Sequence, residues 1–210
     1  MFKINTHLFT AEGPRAVEKL TALGPGVFLD LKFHDIPTVI AGAVRSALSL
    51  SGVRIVNMHA LAGAEGMKAA ADQAAKGGPR RAKVIAVTIL TSHSEASIRR
   101  VGIAGPVQRE VRRLTQLARQ AGLDGVVASP HEVKTIRRVC GPRFLIVVPG
   151  IRPAAGSSPS RKDDQSRTAT PAATIRAGAD YLVVGRPITA VPDPVAAARA
   201  ILEEIASALP

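Results

Sequence analysis

Residues 27–37 have the sequence VFLDLKFHDIP, and Pro37–Leu50 continues it as PTVIAGAVRSALSL. In the first part, apolar side chains alternate with Asp30 and Lys32, as in a β-strand whose successive side chains point to opposite faces. In the second part, apolar residues recur at helical spacing behind a proline, which is favoured in the first turn of a helix. The sequence therefore predicts a strand that leads into a helix, with two charged side chains sharing one face of the strand.

The same pattern repeats along the whole chain. Strands that are apolar throughout and separated by helices indicate a parallel sheet covered on both faces, so the predicted fold class is α/β. The number of consecutive strand–helix units favours a single TIM (β/α)8 barrel domain over residues 1–210, without a linker. The predicted strands are Phe2–Asn5, Val27–Phe33, Arg54–His59, Lys83–Leu90, Gly125–Ala128, Phe144–Val148 and Tyr181–Val184. The predicted helices are Pro14–Leu23, Pro37–Leu50, Ala64–Lys76, Pro106–Ala121, His131–Cys140, Pro171–Ala177 and Pro194–Leu209.

The number of predicted strands is one short of a closed barrel. A barrel of this type has eight strands, whereas the chain supplies seven, the first of which begins at Phe2. Either the fold is a different α/β arrangement, or the first strand and helix of the barrel are missing from this chain.

The composition excludes several classes of protein. Of the 210 residues, 46% are apolar and one is cysteine, which excludes a disordered chain and a disulfide framework. No apolar run reaches the ~18 residues of a membrane span, and the first residues lack the pattern of a signal peptide. We therefore expect a cytoplasmic protein without a membrane partner.

The net charge of +12 calls for a separate explanation. Proteins that bind nucleic acid concentrate their charge, and those that bind single strands add stacking aromatic side chains. Here aromatic residues make up 3% of the chain, and the Lys and Arg residues are scattered in small clusters. We expect these side chains to cover solvated helix faces, with no nucleic-acid partner. An anionic small substrate would be a second, compatible reason for the charge.

Charged side chains lie at the ends of two predicted strands. In (β/α)8 barrels, polar residues at the carboxyl ends of strands are typically functional. Asp30 and Lys32 would point into the barrel mouth, and Lys3 would project beside them from the first strand. Opposite charges in a confined site are costly unless they pair or react, so a structural ion pair is the alternative. Asp35 follows the strand and could instead cap the next helix.

A second set of candidates lies near the carboxyl end of the chain. The motifs VVPGIRP and VVGRPIT each end a predicted strand with glycine and arginine, and they include Arg152, Gly185 and Arg186. Backbone N–H groups and arginines after the last two strands are a recurrent phosphate site in these barrels, although arginines on surface loops are the alternative. The polar stretch Ala154–Arg167 between them has the length typical of a lid. We interpret His59 and His34 as packed side chains, and no cluster has the spacing of metal ligands.

These motifs together resemble a known family. In chain order, DLKFHDIP, VNMHA, VTILTS, GLDGVVAS, VPGIRP, DDQSR and YLVVGRPIT resemble bacterial orotidine 5′-phosphate decarboxylase. The resemblance extends from Phe2 to the last helix. It implies a TIM barrel that acts as a homodimer and decarboxylates orotidine 5′-phosphate to UMP in pyrimidine biosynthesis, with no cofactor and no metal.

The resemblance also implies roles for individual residues. Lys3, Asp30, Lys32 and, from the partner subunit, Asp35 would form an alternating charged array at the reacting carbon. Lys32 would give the proton to C6, and Asp30 would lie near the departing carboxylate. Ala154–Asp164 would be the closing loop. The implied substrate-binding residues are Ile36, Thr38, Thr91, Pro149, Arg152, Gln165, Gly185 and Arg186.

The sequence departs from the family pattern in two places. The family has a first strand that ends in a substrate-contacting Asp and is followed by a helix, and neither precedes Phe2 in this sequence. In addition, Asn5 stands where the family usually has Gly. We therefore expect a misassigned or truncated chain start, with a damaged, inactive barrel remnant as the competing hypothesis. The chain could also be a related sugar-phosphate decarboxylase or synthase, which would need Mg²⁺, or a barrel that serves only as a binding module.

Overall fold

The strands and helices alternate along the chain. The computed structural model of the chain describes residues 1–79, 81–153 and 167–209. The described residues contain seven strands, hydrogen-bonded in chain order, which is the α/β topology of a (β/α)8 barrel with seven of its eight strands. The strands are β1 (Phe2–Asn5), β2 (Val27–Phe33), β3 (Val53–His59), β4 (Lys83–Val87), β5 (Gly125–Val127), β6 (Leu145–Val148) and β7 (Tyr181–Leu182).

Ten α-helices lie in the described residues. No helix in this part of the chain combines the length and the hydropathy that a membrane crossing requires. The helices are α1 (Thr6–Glu12), α2 (Pro14–Thr21), α3 (Pro37–Leu48), α4 (Gly63–Ala75), α5 (Glu95–Arg100), α6 (Val107–Gln120), α7 (Val133–Cys140), α8 (Pro171–Arg176), α9 (Arg186–Thr189) and α10 (Pro194–Ala206).

The predicted alternation is confirmed, and the differences lie at the ends of elements. All seven predicted strands are present, and β1 and β2 have the predicted bounds, whereas β4 ends at Val87 instead of Leu90. Helices α1, α5 and α9 were not predicted. Helix α1 starts directly after β1 because the Asn5 side chain accepts a hydrogen bond from the Leu8 N–H at 3.0 Å and caps the helix. The hypothesis that Asp35 caps helix α3 is wrong, since the cap position is Ile36.

The first of two compact units comprises Met1–Thr88 and Leu114–Val126. In it, strands β1 to β4 pair in parallel. A hydrophobic core of buried residues from β1, β2, β3 and the flanking helices includes Ile4, Leu29 and Val56, with Leu31 and Phe33 packed against it. The apolar face of β2 therefore packs as its alternating sequence predicts.

The second unit comprises Ile89–Arg113 and Val127–Pro210. Strands β6 and β7 pair in parallel in this unit. The guanidinium of Arg137, on helix α7, donates to the Gly178 carbonyl at 2.7 Å and 3.0 Å, to the Gly141 and Phe144 carbonyls at 2.8 Å, and to Asp180 at 2.6 Å. One side chain thus satisfies backbone carbonyls in the segments that lead into β6 and β7.

The Arg137 side chain yields a prediction about stability. We expect Arg137→Lys to lower the free energy of unfolding by about 2 kcal/mol, because an ammonium cannot reach all of these acceptors and some carbonyls lose their donors. Urea denaturation measures this. The control is Arg138→Lys at the exposed neighbouring position, which we expect to change stability by less than about 0.5 kcal/mol. Equal effects of the two substitutions would contradict this account of the fold.

Candidate active site

Strand β2 carries an irregularity at Lys32. The pairing of β2 with β3 runs from Leu29↔Val56 to Phe33↔Met58, with a shift of register between them. Among the described residues, Lys32 alone of the non-glycine residues has a positive φ, at 54°. This left-handed conformation costs roughly 1–2 kcal/mol, so neighbouring groups must hold it. The Lys32 N–H donates to Asn57 Oδ1 at 2.8 Å and thereby fixes the irregularity.

Asp30 is the centre of a charged cluster. The residue is 7% exposed. The Lys32 ammonium donates to Asp30 Oδ1 at 2.7 Å, and the Lys3 ammonium from β1 donates to Asp30 Oδ2 at 2.6 Å. The amide of Asn57 on β3 donates to Oδ1 at 2.6 Å. The structure therefore brings together Lys3, Asp30 and Lys32, which are three of the four members of the predicted charged array, and within one chain the two ammoniums exceed the one carboxylate in charge.

Sequence reasoning missed Asn57. It lies between apolar residues in the motif VNMHA and is fully buried. A buried amide in an apolar strand was the available signal, since such a group must find hydrogen-bond partners inside the protein.

Asp35 and its neighbours lie on the surface of the first unit. The Asp35 carboxylate accepts a hydrogen bond from the Ile36 N–H at 2.7 Å. Asp35 and Thr38 are exposed, and the apolar side chains of Ile36 and Val39 are 62% and 47% exposed. Within one chain, the carboxylate of Asp35 therefore hydrogen-bonds locally and not to the two ammoniums of the cluster.

The two predicted histidines pack together. The rings of His34 and His59 stack with centroids 5.3 Å apart, and His59 Nδ1 accepts a hydrogen bond from the Leu61 N–H at 3.3 Å. The interpretation as a packed side chain holds for His59, which is half-buried, whereas His34 stacks on it but is exposed. In the described part of the chain, no group of His, Cys, Asp and Glu is arranged to hold a metal ion.

The remaining candidates belong to the second unit. Thr91 is buried. Pro149 precedes Ile151, which bridges to Ala169, and the Arg152 N–H donates to the Ala169 carbonyl at 3.0 Å. Gln165 and the predicted closing loop 154–164 lie outside the described residues.

Gly185 and Arg186 lie where β7 leads into helix α9. Both are exposed, and a side chain at Gly185 would meet no atom within 4 Å. The backbone at this turn is therefore open to a ligand.

A buried ion pair in the second unit was not predicted. Glu132 is 3% exposed, accepts from the Ser129 N–H at 3.0 Å and pairs with Arg167. Arg167 also donates to the Leu90 carbonyl at 3.3 Å. Burial raises the pKa of the Glu132 carboxyl above its usual range, although Arg167 opposes this shift. The pair therefore connects the end of the Ala154–Arg167 stretch to the segment that precedes Thr91.

The parallel strand order and the charged cluster at the end of β2 define the class of (β/α)-barrel enzymes. Within this class, the chain belongs to the family described as orotidine 5′-phosphate decarboxylase / HUMPS family, whose profile matches residues 1–201.

Named relatives agree with this assignment. The chain is 55% identical to orotidine 5′-phosphate decarboxylase of Geobacter sulfurreducens, over 98% of this chain and 84% of that protein. It is 52% identical to orotidine 5′-phosphate decarboxylase of Moorella thermoacetica, over 98% of this chain and 81% of that protein.

Solved structures show the same fold. The chain resembles the crystal structure of orotidine 5′-phosphate decarboxylase from Lactobacillus acidophilus with a TM-score of 0.82. The two sequences are 37% identical, and the match covers 97% of this chain and 85% of that one. An uncharacterized conserved protein from Geobacillus kaustophilus is 34% identical, with a TM-score of 0.81, over 97% of this chain and 86% of that one.

The raised pKa of Glu132 yields a prediction about pH. A carboxyl whose pKa is higher in the folded than in the unfolded protein binds more protons when folded, so its ionisation lowers stability as pH rises above the ordinary value of 4.5. We therefore expect the stability of the wild type, measured relative to Glu132→Gln, to fall as the pH rises above 4.5.

Thermal unfolding of both proteins across this range measures the difference. The control is Glu203→Gln on the exposed face of helix α10, which we expect to leave the pH dependence close to that of the wild type. A relative stability of the wild type that rises with pH would contradict the prediction.

Proposed function

We propose that the chain decarboxylates orotidine 5′-phosphate to UMP and thereby serves pyrimidine biosynthesis. The observation that carries the proposal is the cluster in which Asp30 binds the ammoniums of both Lys3 and Lys32. Family membership supports the reaction, and the cluster supplies the groups that it needs. We also propose a cytoplasmic location, because a charged nucleotide does not cross the membrane of the cell that makes it.

The proposed chemistry centres on C6 of the pyrimidine ring. When the bond between C6 and the carboxylate breaks, CO₂ leaves and the electron pair stays on C6. The Lys32 ammonium stabilises this developing negative charge and then transfers a proton to C6, which forms UMP. Lys32 recovers its proton from solvent. The lysine supplies both charge and proton, so this step requires no metal and no cofactor.

Asp30 and Lys3 set up this step. The Asp30 carboxylate lies near the carboxylate that departs, and the two negative charges repel each other until CO₂ has gone. The Lys3 ammonium, 2.6 Å from Asp30 Oδ2, keeps the ionised Asp30 in place. Within one subunit two ammoniums surround one carboxylate, and Asp35 of the partner subunit would balance the remaining positive charge in the proposed array.

The phosphate and the pyrimidine are bound by residues of the second unit in this proposal. Arg152 and Arg186 hold phosphate oxygens through forked guanidinium hydrogen bonds, and the open backbone at Gly185 allows close approach. Thr91, Pro149 and Gln165 contact the pyrimidine or line its pocket. Binding energy from a phosphate far from C6 contributes to the catalytic step.

A homodimer completes the proposed site. Asp35 of one subunit joins the charged array of its partner, with Ile36 and Thr38 beside it. The exposed apolar side chains of Ile36, Val39 and Leu61 support an interface on this surface.

Lys32→Ala tests the proposed proton donor. We expect kcat to fall by about 10³-fold or more, because both charge stabilisation and proton transfer are lost. The conversion of orotidine 5′-phosphate is followed by absorbance, and gel filtration checks that the oligomeric state is kept. The control is Lys68→Ala, which removes an exposed lysine paired with Asp72 on helix α4 and should keep wild-type activity. A loss of only a few-fold for Lys32→Ala would contradict the assigned role.

Mixed dimers test the contribution of Asp35 across the interface. Lys32→Ala and Asp35→Ala are each expected to be nearly inactive alone. After unfolding and refolding of an equal mixture, half of the dimers combine one subunit of each kind, and each of these has one intact site. The mixture should therefore recover about a quarter of wild-type activity. If Asp35 acted within its own subunit, mixing would restore nothing.

A further inference from the structure

We propose that Asn57 is a positioning residue that holds both Lys32 and Asp30 in the geometry for proton transfer to C6. The inference rests on the proposed decarboxylation, and it assigns the arrangement of the charged cluster to a neutral side chain on the neighbouring strand.

The environment of Asn57 requires both ends of its amide to be bonded. The residue is 0% exposed and lies in β3 between the buried side chains of Val56 and Met58. An unpaired amide in such a place is strongly unfavourable. Its Oδ1 accepts from the Lys32 N–H at 2.8 Å, and its Nδ2 donates to Asp30 Oδ1 at 2.6 Å. Both partners are residues of the proposed catalytic cluster.

The strand pairing explains why an amide side chain is needed here. Between the paired positions Leu29↔Val56 and Phe33↔Met58, β2 has three residues and β3 has only Asn57. The Lys32 N–H falls in this interval, and the side chain of Asn57 supplies its acceptor in place of a backbone carbonyl. This bond holds Lys32 at its φ of 54°. The direction of the Lys32 side chain depends on this backbone conformation, so a change of φ at Lys32 would move its ammonium relative to Asp30.

The second bond of Asn57 fixes the carboxylate. Asp30 Oδ1 accepts from both Asn57 Nδ2 and Lys32 Nζ, and Asp30 Oδ2 accepts from Lys3 Nζ. With Oδ1 held from β3 and Oδ2 held from β1, the plane of the carboxylate cannot rotate freely. The two ammoniums are placed by this carboxylate, so Asn57 acts on them through Asp30.

The chemistry of the side chain suits this role. An amide offers a donor and an acceptor without charge. An aspartate would keep an acceptor for the Lys32 N–H but would place a second carboxylate against Asp30. A leucine would fill similar space and offer neither bond. These differences allow the two hydrogen bonds of Asn57 to be tested separately.

Steady-state kinetics of Asn57→Leu test the first consequence. We expect kcat to fall by about 10²-fold, with KM for orotidine 5′-phosphate changed by less than about threefold, because the proposed phosphate contacts lie elsewhere. The matched control is Val56→Ala, which removes buried volume from the same strand and lowers stability without touching the cluster. It should keep kcat within about threefold of the wild type. Equal kcat values for the two variants would overturn the proposal.

The pH profile of Asn57→Asp tests the second consequence. At high pH the new carboxylate repels Asp30, and kcat should be low. One carboxyl of such a pair takes up a proton more readily than usual, and the protonated group can then donate to Asp30 as the amide does. We expect the ratio of variant to wild-type kcat to rise as pH falls. A ratio independent of pH would show that the donor to Asp30 does not matter.

A crystal structure of Asn57→Leu separates this inference from the proposed function. We expect Lys32 to leave its positive φ and its ammonium to lose contact with Asp30. If the variant keeps both features, Asn57 is not a positioning residue, whatever the activity. If the wild type does not convert orotidine 5′-phosphate at all, the proposed function fails, and the crystal structure still decides whether Asn57 holds the cluster.

Discussion

A single buried carboxylate, that of Asp30, binds two lysine ammoniums at 2.6 Å and 2.7 Å. Burial of an ionised carboxylate is unfavourable unless charges and hydrogen bonds compensate it, and here the compensation comes from three parallel strands. Lys3 is on β1, Asp30 and Lys32 are on β2, and Asn57 is on β3. The cluster therefore exists only if β1, β2 and β3 lie side by side in chain order.

This dependence links the fold to the chemistry. Each strand contributes a short polar segment to a unit whose remaining strand residues are largely apolar and buried, as with Ile4, Leu29 and Val56. The buried core holds the strands rigidly, and the polar groups are fixed by one another. A preorganised ammonium of this kind stabilises negative charge at a neighbouring carbon better than a freely moving lysine in water does. The hydrogen bonds of the cluster also offset the conformational free energy that the left-handed backbone at Lys32 costs.

The sequence predicts all seven strands, most of the helices and part of the candidate site. Alternation in VFLDLKF predicted the bounds of β2, the packing of Leu31 and Phe33, and the shared face of Asp30 and Lys32. It could not predict the irregularity at Lys32, because a shift in pairing depends on the neighbouring strand and leaves no local pattern. Asn57 is a polar residue in an apolar strand, which is a local signal, but its partners Lys32 and Asp30 lie on β2 and cannot be read from the motif VNMHA.

The ion pair of the second unit, the cap of α1 and the short helices could not be predicted from local sequence patterns either. Glu132 and Arg167 are 35 residues apart, so nothing near either residue indicates the pair. Asn5 departs from the family pattern, but its function as the cap of α1 depends on a helix that the sequence does not predict. Helix α5 begins at the capping residue Ser94, and helix α9 spans four residues without a side-chain cap. Both are too short to show the repeated spacing that identifies longer helices.

The central claim is that the cluster around Asp30 protonates C6 of the pyrimidine after loss of CO₂. Its most direct test is to incubate the purified chain with orotidine 5′-phosphate in D₂O and to follow the product by proton NMR. The account predicts UMP that carries deuterium at C6, with one molecule of CO₂ released for each molecule of UMP. Unchanged substrate, or a product that still carries the carboxylate, would contradict it.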